Sequence, residues 1–216
     1  ASNAGETGNI NLGLHAFLDA SGGRSGNGLS GGGRITLAGS YGNSGQDSGG
    51  HPLGSATGAQ NGVFLAADSK IRSGGGDIEI RANNSGTEAI RQNRGVEINS
   101  GLGQIKVTGI SRNGANGYIT DGGTWISNAS ESPAIELLAQ TSGTGNEAFE
   151  QYNNSTSRFE VNALGTADVG ISISAMLSAT STNQAVYIPH EFDLLSSTGD
   201  IQFTSNGRIM LREADA

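Results

Sequence analysis

The densest run of titratable side chains is His190-Glu191-Phe192-Asp193, where two carboxylates stand two positions apart beside a histidine. On a strand, Glu191 and Asp193 share one face, because alternate side chains point to the same side. Two carboxylates, one held protonated and one ionised, are what glycoside hydrolysis requires. Trp125, the sole tryptophan, would add an aromatic plane for a sugar ring if exposed, and otherwise covers part of a core. His190, Glu191, Asp193 and Trp125 are therefore the tentative surface cluster if a ligand site exists. A solvated charged face and a buried indole is the simpler reading of the same four residues, and on residue type alone it is the stronger one.

The remaining titratable residues add no second constellation. Asp77 and Asp200 both follow a glycine and precede an isoleucine, and an acid that recurs at a corner is better explained as a turn cap than as a catalyst. The histidines, His15, His51 and His190, have no spacing such as H-x-x-x-H that would link them to a metal. A β-eliminating lyase would want Lys or Arg near acidic calcium ligands, yet the only lysines, Lys70 and Lys106, have no acids grouped with them by sequence spacing. Gly74-Gly75-Gly76-Asp77 does not fit the calcium-binding nonapeptide, and no tandem nine-residue period accompanies it. Gly31-Gly32-Gly33-Arg34 leads into a strand pattern, whereas a phosphate loop leads into a helix. Tyr41, Tyr118, Tyr152 and Tyr187 are too scattered to define a stacking platform. No catalytic, cofactor-binding or metal-ligating residue is assigned, and a non-enzyme is expected.

These residues must be positioned by a chain with 36 glycines, 3 prolines and no cysteine among its 216 residues. So much glycine without proline means many turns but neither a collagen triplet nor a proline-rich linker. Apolar residues are only 34%, but they cluster in short alternating runs, which separates the chain from a disordered polar tract. The formal charge of −8 and the lack of a basic stripe argue against nucleic acid or an anionic membrane as partner. Cysteine-free composition excludes disulfide staples and thiolate metal sites and fits long exported repeat proteins. No apolar run approaches a membrane span, so no membrane insertion of this segment is expected, and no signal peptide opens the chain. Residues 1–4 read as a cloning scar, leaving 5–216 as a single segment of a longer protein.

One motif recurs: Gly, a polar residue, Ile, any residue, then a large apolar residue. It reads Gly8-Asn9-Ile10-Asn11-Leu12, Gly33-Arg34-Ile35-Thr36-Leu37, Gly76-Asp77-Ile78-Glu79-Ile80, Gly103-Gln104-Ile105-Lys106-Val107 and Gly199-Asp200-Ile201-Gln202-Phe203, with looser copies at Ile135 and Ile171. A second element, Val63-Phe64-Leu65, Val96-Glu97-Ile98 and Val186-Tyr187-Ile188, precedes some copies. Val63 leads Ile78, and Val186 leads Ile201, by 15 positions, so the segment repeats at an offset of 123 residues. Ser73, Gly76, Asp77 and Asn83 then match Ser196, Gly199, Asp200 and Asn206. Val96 leads Ile105 by only 9, as if one loop were deleted.

Alternation over about five residues is the signature of a short half-buried strand. A repeat this short cannot bury its apolar side alone, so stacked copies must make the core. The expectation is an all-β, right-handed parallel β-helix of about 7–8 coils, ~35 Å long at ~4.8 Å per coil, with an irregular insert near 142–166, a loop or short helix projecting from the rod. Its inward ladder runs through Ile10, Leu12, Ile35, Leu37, Val63, Leu65, Ile78, Ile80, Val96, Ile98, Ile105, Val107, Ile171, Ile173, Val186, Ile188, Ile201 and Phe203. Gly and Ser suit the corners, and Asn83, Asn84 and Asn206 can bond along a stack. A β-sandwich is the rival, but it needs hairpins, and only Tyr118 to Ile126, with Asp121-Gly122 at its turn, looks like one.

The run from Asn61 to Gly114, with its Gly-polar-Ile-x-apolar copies, resembles the repeat region of filamentous-haemagglutinin-type outer-membrane or secreted proteins of Gram-negative bacteria. The resemblance covers about residues 8–130 and, less closely, 184–212. It implies a structural or adhesive segment at the cell surface or outside the cell. It also implies export of the parent protein through an outer-membrane transporter, and glycans or proteins of host or neighbouring-cell surfaces as partners. No catalytic residue and no cofactor comes with it. A carbohydrate-binding or carbohydrate-processing β-helix is the alternative.

Overall fold

The computed structural model describes residues 10–21, 32–39, 62–84, 87–112, 114–142, 146–152, 158–178 and 183–211, which contain nineteen strands and no helix. The strands come in rotating threes. The first passage is β1 (Ile10–Leu12), β2 (Phe17–Asp19) and β3 (Ile35–Gly39), and the second is β4 (Val63–Leu65), β5 (Lys70–Arg72) and β6 (Ile78–Asn84). The third is β7 (Ile90–Gln92), β8 (Glu97–Gly101) and β9 (Ile105–Ser111), and the fourth β10 (Tyr118–Thr120), β11 (Gly123–Ser127) and β12 (Ile135–Thr141). Then follow β13 (Phe149–Gln151), β14 (Phe159–Ala163) and β15 (Val169–Leu177), and β16 (Gln184–Ile188), β17 (Phe192–Ser196) and β18 (Asp200–Ser205), with β19 (Arg208–Leu211) after them. First members form seven-stranded sheet A, second members six-stranded sheet B and third members six-stranded sheet C. Every strand pairing is parallel. This is a solenoid-like repeat architecture, and the parallel registers rule out the sandwich. The candidate hairpin fails with it: β10 belongs to sheet A and β11 to sheet B, and Asp121-Gly122 is a corner. Gly122 (φ 118°) and Gly123 (φ 129°) supply the backbone that this corner needs.

Sheet C is the recurring motif stacked on itself. Ile35, Ile78, Ile105, Ile135, Ile171 and Ile201 lie in one register column, and Leu37, Ile80, Val107, Leu137, Ile173 and Phe203 in the next. Parallel pairing puts like on like, so β-branched side chains meet their own shape at each rung. The predicted ladder is buried except for Ile10, Leu12 and Phe203, which are partly buried, and Ile201, which is 44% exposed. Ile201 sits on β18, after which no described strand continues sheet C.

Several sequence expectations are corrected by the register. The first motif copy, at Ile10, is a sheet A strand that pairs with Val63 rather than with Ile35. Val96 and Ile98 lie at β8 in sheet B, whereas Val63 and Val186 lie in sheet A. The sheet A strand of that passage is β7, and Ile90 precedes Ile105 by 15 positions, so no loop has been deleted. Within 142–166, expected as an irregular insert, Phe149–Gln151 and Phe159–Ala163 are regular strands of sheets A and B. The 123-residue echo relates β4, β5 and β6 to β16, β17 and β18.

The corners explain the glycine and serine content. Where sheet A turns into sheet B, His15 (φ 55°), Asp68 (φ 58°) and Gly95 (φ 70°) hold the left-handed conformation at successive passages, a region tolerated by Gly and, less readily, by Asp and His. Between sheets B and C, the buried Ser100 hydroxyl donates to the Gly103 carbonyl at 2.5 Å and that of Ser127 to the same carbonyl at 2.8 Å. Each serine thus satisfies a carbonyl that the bend turns inward. Asn206 does the same along the stack: its Oδ1 accepts from the Leu177 amide at 2.7 Å and its Nδ2 donates to the Leu177 carbonyl at 2.9 Å.

The interior is not uniformly apolar. Sheet A's second inward column begins with Leu12 and Leu65, then becomes Gln92, Thr120 and Gln151, all fully buried. Gln92 uses its whole amide. Its Oε1 accepts from the Tyr118 hydroxyl and from Trp125 Nε1, each at 2.9 Å, while its Nε2 donates to the Gly122 carbonyl at 2.9 Å and to Thr120 Oγ1 at 3.3 Å. Tyr118, Trp125, Phe149, Phe159 and Phe192 form an aromatic core around it, with Trp125 edge-on to Phe159 at 5.3 Å and Phe159 stacked on Phe192 at 5.5 Å.

Candidate functional site

Trp125 does not belong to a surface cluster. It points inward from β11 and is 1% exposed, with its ring nitrogen bound to Gln92. The other three predicted residues lie near the turn from sheet A to sheet B. His190 is half-buried and Glu191 exposed between β16 and β17, and Asp193 points outward from β17. Asp193 pairs with Arg158, whose Nε also lies 3.2 Å from Glu160 Oε1. The hydrogen bond and charge of Asp193, with Glu160 and Glu191 behind it, raise the Arg158 pKa. Asp193 is thus engaged with the Arg158 guanidinium, and Glu191 adds only to the negative charge around it.

Asp77 joins successive passages instead of capping its own turn, with Oδ1 accepting the Gln104 amide of the next passage at 3.0 Å. Asp200 is exposed on β18, and the sheet C register places it four passages from Asp77. At ~4.8 Å per rung they stand about 19 Å apart, too far to flank one glycosidic bond, which takes carboxylates roughly 5–9.5 Å apart. Lys70, unpartnered by sequence spacing, finds Glu97 of the next passage at 3.4 Å, and Arg72 meets the same carboxylate at 2.7 Å. His15 lies 3.9 Å from Asp68. His51, Tyr41 and Gly31 lie outside the described residues. Among those described, no group of three or more His, Cys, Asp or Glu could hold a metal ion.

A different group has the more unusual electrostatics. On the outer side of sheet A, Arg91, Ile119, Glu150 and Tyr187 stand in one register column. Asn116, 4% exposed, donates from Nδ2 to Glu150 Oε2 at 2.8 Å. Arg91 lies 4.0 Å from Glu88, 3.8 Å from Asp121 and 5.3 Å from the centre of the Tyr152 ring. Burial, reinforced by Glu147 and Glu88 and only partly offset by Asn116 and Arg91, pushes the Glu150 pKa up to about 7. Burial also raises Glu147 and Asp121, the latter against Arg91 and Arg94. A carboxyl near half-protonation at neutral pH can give or take a proton.

Sequence reading misses this group because its carboxylates are separated by up to 62 positions, from Glu88 to Glu150, and only the stacking unites them. The one available signal was Glu147-Ala148-Phe149-Glu150. It falls in the stretch where no motif copy marks the strand.

Comparison with protein-family models, with curated proteins and with solved structures finds no match to this chain.

Proposed function

We propose that the chain is a structural and adhesive segment of a long, secreted or surface-exposed, non-catalytic protein of the filamentous-haemagglutinin type. The observation that carries this reading is the ladder: one core runs unbroken along the stack, and charged side chains at sheet B pair across successive passages, Lys70 and Arg72 with Glu97 and Arg158 with Asp193. Such a body is a rod that presents surface. The finer architecture proposed with it is a right-handed helix of about 7–8 coils. The described residues make six passages through all three sheets and open a seventh with β19, which meets the lower end of that count. The general right-handedness of crossovers between parallel strands supports the hand. Partners are glycans or proteins of host or neighbouring-cell surfaces, reached after export through an outer-membrane transporter. A glycan array and a whole-cell binding assay with the purified segment test the reading. Binding without release of reducing ends is the expected result, and turnover of a glycan would overturn it.

A carbohydrate-processing β-helix is the second reading, favoured by Glu150. A carboxyl raised to about 7 beside Glu147, with the 37% exposed ring of Tyr152 near Arg91, is a partial acid and base set on the outer face of a sheet. On this reading, reducing ends appear with the native chain and vanish with Glu150→Gln.

A further inference from the structure

We propose that the carboxylates on the outer face of sheet A form a proton-operated latch that tightens the stack of β10, β13 and β16 when the medium turns from neutral to mildly acidic. Glu150 stands on β13, the middle strand of the three. From the β10 side it faces Ile119 in register and the Asn116 amide at 2.8 Å, and from the β16 side Tyr187 in register. Glu147 lies just before β13, and Glu88 and Arg91 act on Glu150 from the third passage. Arg91 is shared: its guanidinium lies 4.0 Å from Glu88 and 3.8 Å from Asp121. Four carboxylates therefore lie along three successive rungs of one half-buried face, with Arg91 and Arg94 opposing them. At alkaline pH, the stack can keep its register only by holding like charges together while partly removed from water.

The direction follows from linkage. A carboxyl whose folded pKa lies above its unfolded value contributes stability that is complete below the ordinary glutamate range and is lost as pH rises through the folded value, here about 7. The window is thus pH 4.5 to 8, and the chain is more stable at its acidic end. Glu150→Gln mimics the protonated form at every pH.

The experiment is thermal unfolding of the whole chain at intervals from pH 5 to 8.5, with a ¹³C carboxyl titration of the unmodified chain. The native melting temperature is expected to fall by roughly 3–6 °C between pH 5.5 and 8, after allowing for the partial exposure of Glu150. Glu150→Gln is expected to remove most of that fall, and Glu131→Gln, at an exposed corner residue, to keep it. In the titration, one glutamate carboxyl lost in Glu150→Gln has its midpoint near neutrality. A fall undiminished in Glu150→Gln, or a Glu150 midpoint below pH 5, overturns the latch. The titration needs no variant that must fold, except to assign the signal, and Glu147→Gln serves for that through its displacement of the same resonance.

Discussion

Gln92 offers the sharpest test of what holds the aromatic half of the core. Its side chain is fully buried and spends both lone pairs and both protons on Tyr118, Trp125, Gly122 and Thr120. Gln92→Leu conserves volume but leaves the Tyr118 hydroxyl and the Trp125 ring N–H without their acceptor. Burial holds the Tyr118 phenol protonated, so it remains a donor. Each of the two orphaned buried donors costs about 1–3 kcal/mol, giving a loss of about 2–6 kcal/mol in total. Gly122 and Thr120 lose less, because the Thr120 hydroxyl still donates to the Gly122 carbonyl at 3.2 Å.

The discriminating step is a cycle with Tyr118→Phe. In the native chain this change removes one hydrogen bond, while Gln92 Oε1 keeps Trp125, so the cost is about 0.5–1.5 kcal/mol. In the Gln92→Leu background the hydroxyl is an uncompensated buried group, and deleting it stabilises by about 1 kcal/mol. The sign reverses, and the coupling is about 2 kcal/mol. Urea unfolding followed by the emission of Trp125, the sole tryptophan, reads all four species. If Tyr118→Phe costs the same in both backgrounds to within about 0.5 kcal/mol, the four hydrogen bonds do not act as a unit and the reasoning fails.

Three further outcomes are expected. Ile105→Ala, in the middle of the sheet C column and fully buried, should cost about 2–5 kcal/mol in the same urea assay. Ile201→Ala, in the same column but 44% exposed, should cost under about 1 kcal/mol; equal costs would show that the column does not form a continuous core. Gly103→Ala should lower stability by about 1–3 kcal/mol, because a Cβ there would overlap the Gly76 carbonyl of the preceding passage; an unchanged unfolding midpoint would refute that close approach. Deleting Val63 through Ala89, one full passage, joins Gly62 to Ile90 and lets β1 pair with β7, so the product should retain a β-rich circular dichroism spectrum. A random-coil spectrum would mean that passages are not interchangeable units.

Sheet C was legible in the sequence, whereas sheet A was legible only at β4 and β16 and sheet B hardly at all, for a physical reason. Sheet C strands turn two consecutive inward positions into large apolar residues, as in Ile105 and Val107, so period-2 alternation stands out. Several strands of sheets A and B are three residues long, with one inward side chain or two. Alternation cannot be recognised over one residue. In β7 the signal is weaker still, since the second inward residue is Gln92, and Ile90-Arg91-Gln92 reads as a polar stretch. That concealment is also what led Val96 to be placed in the wrong column.

The polar rung and the aromatic core are two parts of one solution. When the passage at β10 and β11 replaces Ile by Tyr118 and Trp125, the larger rings fill the interior but bring two polar groups with them. One buried amide must answer both, from the rung before. Gln92 is therefore polar because of residues 26 and 33 positions later. The carboxylates of the sheet A face are hidden from sequence by the same geometry. Glu88, Asp121, Glu147 and Glu150 look like isolated solvated acids until a rise of ~4.8 Å per passage brings them onto neighbouring rungs, and only then does their mutual repulsion become a property of the fold.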